Sequence, residues 1–226
     1  MDQQRDNSFL KYTNWYILFV YLSYNFEWEM NKAEKTKLFI IEKTAPVFNT
    51  KGYAATSLSD ITEVTGLSKG SIYGNFDSKD EVVTEAFKYN AALLYKGFEE
   101  AMSTADNPYM RLRAFVNFYR DNWNQIYSIG GCPMLNAATE ADDHLLFLQE
   151  VVKKYFMIWH KRIVRVIEEG KDEAAFKAEI NSDQYAYTIM MLIEGGVLLS
   201  RTLGSITQLN IALDRILKII DEEIKV

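Results

Sequence analysis

The sequence predicts an all-α fold, and three observations lead there. From Lys32 onward, apolar residues recur at spacings of three and four, the period of a helix face, and no stretch alternates as a half-buried strand does. Small polar residues and glycines fall where those periodic runs begin and end. Only three of the 226 residues are proline while 48% are hydrophobic, so the chain is long and apolar enough to bury a continuous helical core.

Each element has its own signal. Leu38, Ile41, Ala45 and Phe48 give an apolar face to a first helix beginning near Lys32, and Gly52 stops it. Thr56 or Ser57 supplies an N-cap for a short helix with Leu58, Ile61 and Val64 inward, and Gly66 ends it as a glycine just past a helix commonly does. A third helix covers about residues 68–76. Ser78, with Glu81 three residues on, is a capping box that opens a fourth helix reaching about Met102. Pro108 suits the first turn of the next, which runs to about residue 128 before the glycine-rich corner SIGGCP. A short helix over 133–140 follows, then a long one from about Asp143 to Glu169 closed by Gly170. Two last helices, near 183–203 and 206–223, are parted by Gly204-Ser205.

Composition excludes several classes of function. A single cysteine, Cys132, allows no internal disulfide, and His144 and His160 stand apart from any zinc-ligand set, so neither metal nor cofactor is expected. No nucleophile–base pair and no phosphate-binding loop appears, which leaves no catalytic residue to name. The cysteine usage suits a reducing cytoplasm. Net charge is −6, yet residues 31–90 hold eight lysines against eight acidic residues, and a neutral segment can bind DNA if its lysines share a face. The aromatic run NWYILFVYLSYNFEW is too short for a spanning helix, which needs roughly 20 apolar residues. It also lacks the basic flank and cleavage site of a signal peptide, so no membrane partner is expected. Ordinary amphipathic sequence begins at Met30, and residues 1–29 read as a non-native or disordered extension ahead of the biological start.

Helix 57–65, the turn at Gly66 and helix 68–76 make a helix-turn-helix, whose second helix enters the major groove by its N-terminal end. Gly70 in the first turn of so short a helix costs about 1 kcal/mol relative to alanine, which close approach to DNA would explain. Leu58, Ile61, Leu67, Ile72 and Phe76 form the core of this unit. Ser68, Lys69 and Ser71 remain outside, with Tyr73 a turn below and Lys79 beside Ser78 as a second phosphate clamp. Two short helices around a glycine also occur where no DNA is bound, so the wording of the segment decides. Residues 56–87, TSLSDITEVTGLSKGSIYGNFDSKDEVVTEAF, resemble the tetracycline-repressor (TetR) family of bacterial regulators. The resemblance rests on Thr56, Ile61, Gly66-Leu67-Ser68, Gly70, Tyr73 with Phe76, and Ser78-Lys79 with Glu81.

That resemblance implies a DNA-binding head over 30–77 and a body over 78–226 that binds an effector and dimerises. It implies double-stranded operator DNA, a partly apolar small-molecule inducer and a second copy of the chain as partners. The implied DNA-facing set is Thr56, Ser57, Ser68, Lys69, Gly70, Ser71, Tyr73, Asn75 and Lys79. One departure stands out: the head contains no arginine, the residue that most often reads guanine, so discrimination leans on Lys69, hydroxyls and DNA shape.

In the body, Tyr185, Ile189, Leu192, Gly196 and Leu199 step by three and four, as do Leu209, Leu213 and Ile216. These are the expected dimer interface, and Gly195-Gly196 suits close helix–helix approach. For the effector, Tyr119, Trp123, Tyr127, Cys132, Met134 and Phe156 are the expected lining, with Asn122, Asn136 and Glu140 as polar fixings. Cys132 carries the alternative: a thiol at a helix start can have a lowered pKa and act as an oxidation- or alkylation-sensitive switch, although no basic residue lies near it in sequence.

Overall fold

A computed structural model describes residues 31–142 and 145–226; the extension over 1–29 and His144 lie outside them. The described chain forms ten α-helices. They are α1 (Lys32–Lys51), α2 (Leu58–Thr65), α3 (Lys69–Tyr73), α4 (Lys79–Ser103), α5 (Pro108–Asp121), α6 (Trp123–Ser128), α7 (Pro133–Ala141), α8 (Leu146–Asp172), α9 (Ser182–Leu203) and α10 (Thr207–Ile219). A π-helical turn, Ile220–Ile224, closes the chain. Among the described residues there is one isolated bridge, Phe176 with Lys225, and no strand.

Helix starts are secured by side-chain oxygens that satisfy otherwise orphaned amides. Asn31 caps α1 in a box with Glu34, and Ser57 caps α2 in a box with Asp60. Ser68, Ser78, Asn107 and Asn181 do the same for α3, α4, α5 and α9. Around these starts two layers of core form. Phe48, Ile61, Ile72, Phe76 and Val82 fill the space between α1, α2, α3 and the first turns of α4. Farther along, Phe98, Phe115 and Tyr119 pack edge to face, with Trp159 tilted against Phe115, between α4, α5 and α8. One unbroken helix, α4, thus carries Val82 in the first core and Phe98 in the second.

Four expected boundaries move. The helix after Pro108 breaks at Asn122, whose amide turns back onto the Phe118 carbonyl, giving α5 and α6. Gly170 does not close α8; it lies inside the helix, and the Phe176 ring rests on it where any side chain would collide. The third helix is shorter than 68–76, ending at Tyr73, though Phe76 still donates its amide to Ile72. The last helix stops at Ile219 and continues as the π-helical turn, where the Ile224 carbonyl accepts from Lys177.

Candidate functional site

The turn between α2 and α3 is built by Gly66 at φ 68°, a left-handed conformation that suits glycine. Ile72 is fully buried beneath α3 and Leu67 packs against the same core, which leaves Ser68, Lys69, Gly70 and Tyr73 exposed on one surface. Ser68 accepts the Ser71 amide at 3.2 Å, so its hydroxyl serves the helix first. Tyr73 is 47% exposed. A Cβ built on Gly70 would meet only the Ser68 Oγ, at 3.8 Å; nothing in the protein's own packing demands a glycine there.

Other members of the expected DNA-facing set are placed differently. Thr56 is fully buried and donates its hydroxyl to the Gly52 carbonyl at 2.6 Å, so it closes the loop before α2 and faces inward. Asn75 donates to the Ser71 carbonyl at 2.9 Å and holds the end of α3. Lys79 is half-buried with its ammonium 3.4 Å from the Ala54 carbonyl. Ser57 is exposed but exchanges hydrogen bonds with Asp60, whose carboxyl is held well below the usual range by Lys51 and by Ser57. Ser71 is half-buried.

The head is fastened to the body by a set of polar contacts that sequence reasoning assigned elsewhere. Glu140, on α7, accepts the amides of Tyr53 at 2.9 Å and Ala54 at 2.7 Å, directly before α2. Asn136, one turn earlier, donates to the Asn49 side-chain oxygen at 3.0 Å and the Gly130 carbonyl at 2.8 Å. Asn49, buried at the end of α1, donates to the Ile129 carbonyl at 2.7 Å. Gly130, at φ 103°, lies so close to Asn49 that an added Cβ would sit 2.6 Å from its carbonyl oxygen. Asn136 and Glu140 are therefore latch residues between head and body, and Asn122 is spent on its own helix.

Immediately beyond this corner is a buried cluster whose polar atoms lack protein partners among the described residues. Cys132 is buried and donates its thiol to Glu194 Oε1, on α9, at 3.0 Å. Burial and the neighbouring Glu194 push the thiol well above its ordinary pKa, opposite to what a reactive thiolate requires. Burial likewise pushes Glu194 up to about 7. Its Oε2, the hydroxyls of Tyr119 and Tyr155, and the Trp159 indole N–H are all sealed from solvent and meet no partner among the described residues, while the sealed Tyr53 hydroxyl lies beside Asn90. Tyr119 and Trp159 lie 6.4 Å apart by ring centroid, and Phe87 joins Tyr53 to Tyr155 at 6.2 and 5.4 Å.

Of the expected effector lining, Tyr119, Trp123, Cys132 and Met134 are buried in this region and Phe156 is partly buried against Trp159. Tyr127 is 45% exposed and does not turn inward. Glu194, Tyr155 and Tyr53, which share this buried region, were not among the expected residues. The one signal for Glu194 was an acidic residue in the apolar run YTIMMLIEGGVLL; its partner could not be read from spacing.

Burial also redistributes the expected dimer residues. Ile189, Leu209, Leu213 and Ile216 are fully buried, and Gly196 packs with its Cα face on Ala212 and Leu209. Together they hold α9 to α10 within one chain. Tyr185 and Leu192 are half-buried against the same core. Leu199 is exposed, alongside Tyr187, Met191, Leu198, Leu203 and Ile211. Gly195 belongs to that outer face, since an added Cβ would meet nothing within 4 Å.

Comparison with known proteins agrees with this layout. Residues 40–86 match the model of the bacterial regulatory proteins of the tetR family, and residues 108–216 match a tetracyclin repressor-like C-terminal domain. A TetR-family regulator from Cytophaga hutchinsonii superposes with a TM-score of 0.84 at 34% identity, covering 88% of this chain and 99% of that one. A second, from Chloroflexus aurantiacus, gives 0.82 at 31% identity, over 87% and 100%. The transcriptional regulator YxaF of Bacillus subtilis is 29% identical over 164 residues, 72% of this chain and 83% of its own. Both halves of the chain thus match the family's domains, and the chain belongs to the TetR family of bacterial transcriptional regulators, DNA-binding proteins rather than enzymes.

Proposed function

We propose that the chain is a homodimeric cytoplasmic repressor that grips a palindromic operator through residues 30–77 and is released by a small molecule held in residues 78–226. One observation carries the reading. The corner Gly130-Gly131-Cys132 touches Asn49 of the head on one side and Glu194 of the buried cluster on the other. An effector that binds beside Glu194 better in one head position than another shifts the population between them. The exposed stripe Tyr187, Met191, Leu198 and Ile211 is wide and apolar enough to seat a second copy. Two heads spaced by such a contact suit half-sites about one helical turn apart or a multiple of it. Direct contact to DNA falls to Lys69, Tyr73 and Ser68, with Gly70 giving clearance. The thiol switch is the poorer reading, because Cys132 is sealed and hydrogen-bonded to an acid.

Binding to the DNA upstream of the chain's own coding region, measured by anisotropy over a range of salt, tests this. Lys69→Ala lowers affinity and reduces the salt slope by about one phosphate contact. Tyr73→Ala weakens binding further. Leu198→Glu leaves a folded monomer by sedimentation that no longer holds the full site. Unchanged DNA binding in both head variants would overturn the assignment of the reading surface, and a small-molecule screen that never releases the DNA would overturn the inducer.

A further inference from the structure

We propose that the buried cluster around Glu194 is a binding site for an organic amine cation with an apolar or aromatic body; the inference rests on the effector-released reading above. Glu194 Oε1 is taken by the Cys132 thiol, and Oε2 is left as a sealed acceptor. The Cys132 thiol is the group that favours the Glu194 carboxylate; Arg201, two turns along α9, lies against Gly131 and makes no ion pair with Glu194 among the described residues. The other ionisable groups of the cluster are Tyr53, Tyr119, Tyr155 and Cys132, which can be neutral or negative but never positive. The described histidine on α8, His160, lies elsewhere, stacked at 4.0 Å on the exposed ring of Tyr187.

An interior with these groups repels an anion and has a place for one positive charge. Burying a carboxylate is costly unless a cation and hydrogen bonds compensate it, and an ammonium delivering an N–H to Oε2 supplies both. The neighbouring rings add to the selectivity. Tyr119 and Trp159 are almost fully buried, tilted against each other with Trp159 stacked on Phe156, and an aromatic lining of this kind favours a cation once water is excluded. Their own polar atoms remain open, the Tyr119 hydroxyl as donor or acceptor and the Trp159 N–H as donor only. A ligand with an ammonium at one end, an apolar middle and an acceptor elsewhere would satisfy the set.

The test titrates the full-length chain with phenylbutylamine, phenylbutanol and phenylbutyrate, which share a body and differ in charge, following tryptophan fluorescence and melting temperature. The amine binds about ten-fold or more tighter than the alcohol, and the carboxylate binds least. Glu194→Gln, an isosteric change, cuts amine affinity by about ten-fold while leaving the alcohol within about two-fold. Tyr119→Phe, which removes the hydroxyl beside the carboxyl, weakens the amine several-fold and carries the test if E194Q does not fold. Equal affinity for all three probes, amine binding indifferent to both substitutions, or no amine binding at all overturns the proposal. Operator release is read in parallel. Glu194-dependent amine binding that leaves DNA affinity unchanged keeps the site and sinks the inducer-released reading; operator release by the alcohol at the same concentration as the amine, undiminished in E194Q, does the reverse.

Discussion

In the head, Ser57, Ser68 and Ser78 each cap a helix, Asn75 ties off α3, and Lys51 and Lys37 pair with Asp60 and Glu81. In the body, the hydroxyls of Tyr119 and Tyr155, the Trp159 N–H and Glu194 Oε2 are buried and meet no protein group among the described residues. Native interiors rarely leave such groups unpaired, since each costs roughly 1–3 kcal/mol. The polar groups around the head are thus mostly paired, the buried Tyr53 hydroxyl apart, and the exposed Ser68, Lys69 and Tyr73 lie on its surface. That contrast suits the ligand-released regulator proposed above, in which a ligand bound only by the folded chain would stabilise it.

The contrast can be broken from the head first, where the largest effect is expected. Ile72→Ala removes a fully buried side chain from a small core and should cost about 2–5 kcal/mol in denaturant melts. A loss below about 1 kcal/mol would mean the head can relax around the cavity, contrary to its finished packing.

From the body, Glu194→Gln should act with the opposite sign and a pH signature. The folded pKa of Glu194, about 7, lies above its ordinary value of 4.5, so folding favours the protonated form. Its contribution is fully present below pH 4.5 and is lost as pH rises towards 7. The ligand-free wild type should thus be less stable than E194Q by on the order of 2–3 kcal/mol at mildly alkaline pH, the gap closing in acid. A pH-independent difference between the two would show that the carboxyl is not held in a desolvated site.

The smallest effect sharpens the contrast at the surface. Gly70→Ala should leave stability unchanged or raise it by up to about 1 kcal/mol, because helix propensity improves and the added methyl points into open space. Its cost should appear only as weaker operator binding. Full operator affinity in that variant would remove the clearance role of Gly70.

Much of this was legible from local chemistry. Ser57, Gly66, Ser68 and Ser78 mark helix ends because a cap or a left-handed turn is decided within three or four residues of chain. Ile61, Ile72 and Phe76 were readable as core for the same reason: a short helix has one face to bury. The body was less legible where period alone could not say which of two apolar faces turns inward. Ile189, Gly196 and Leu213 share spacing with an interface seam, yet they fill the chain's own α9–α10 contact, while Tyr187, Met191 and Leu198 remain outside. Thr56 shows a related limit, since a threonine before a helix start can cap outward or close a loop inward, and the Gly52 carbonyl takes it inward.

By itself, the sequence determined the all-α class, the order of the helices and the helix-turn-helix, because periodicity, caps and glycine turns act over a few residues. Only the tertiary structure decided which polar groups meet. Cys132 finds Glu194 from 62 positions away, and Glu140 reaches Ala54 across 86. Such pairings are set by how helices pack, and packing brings together side chains whose separation along the chain carries no trace of their contact.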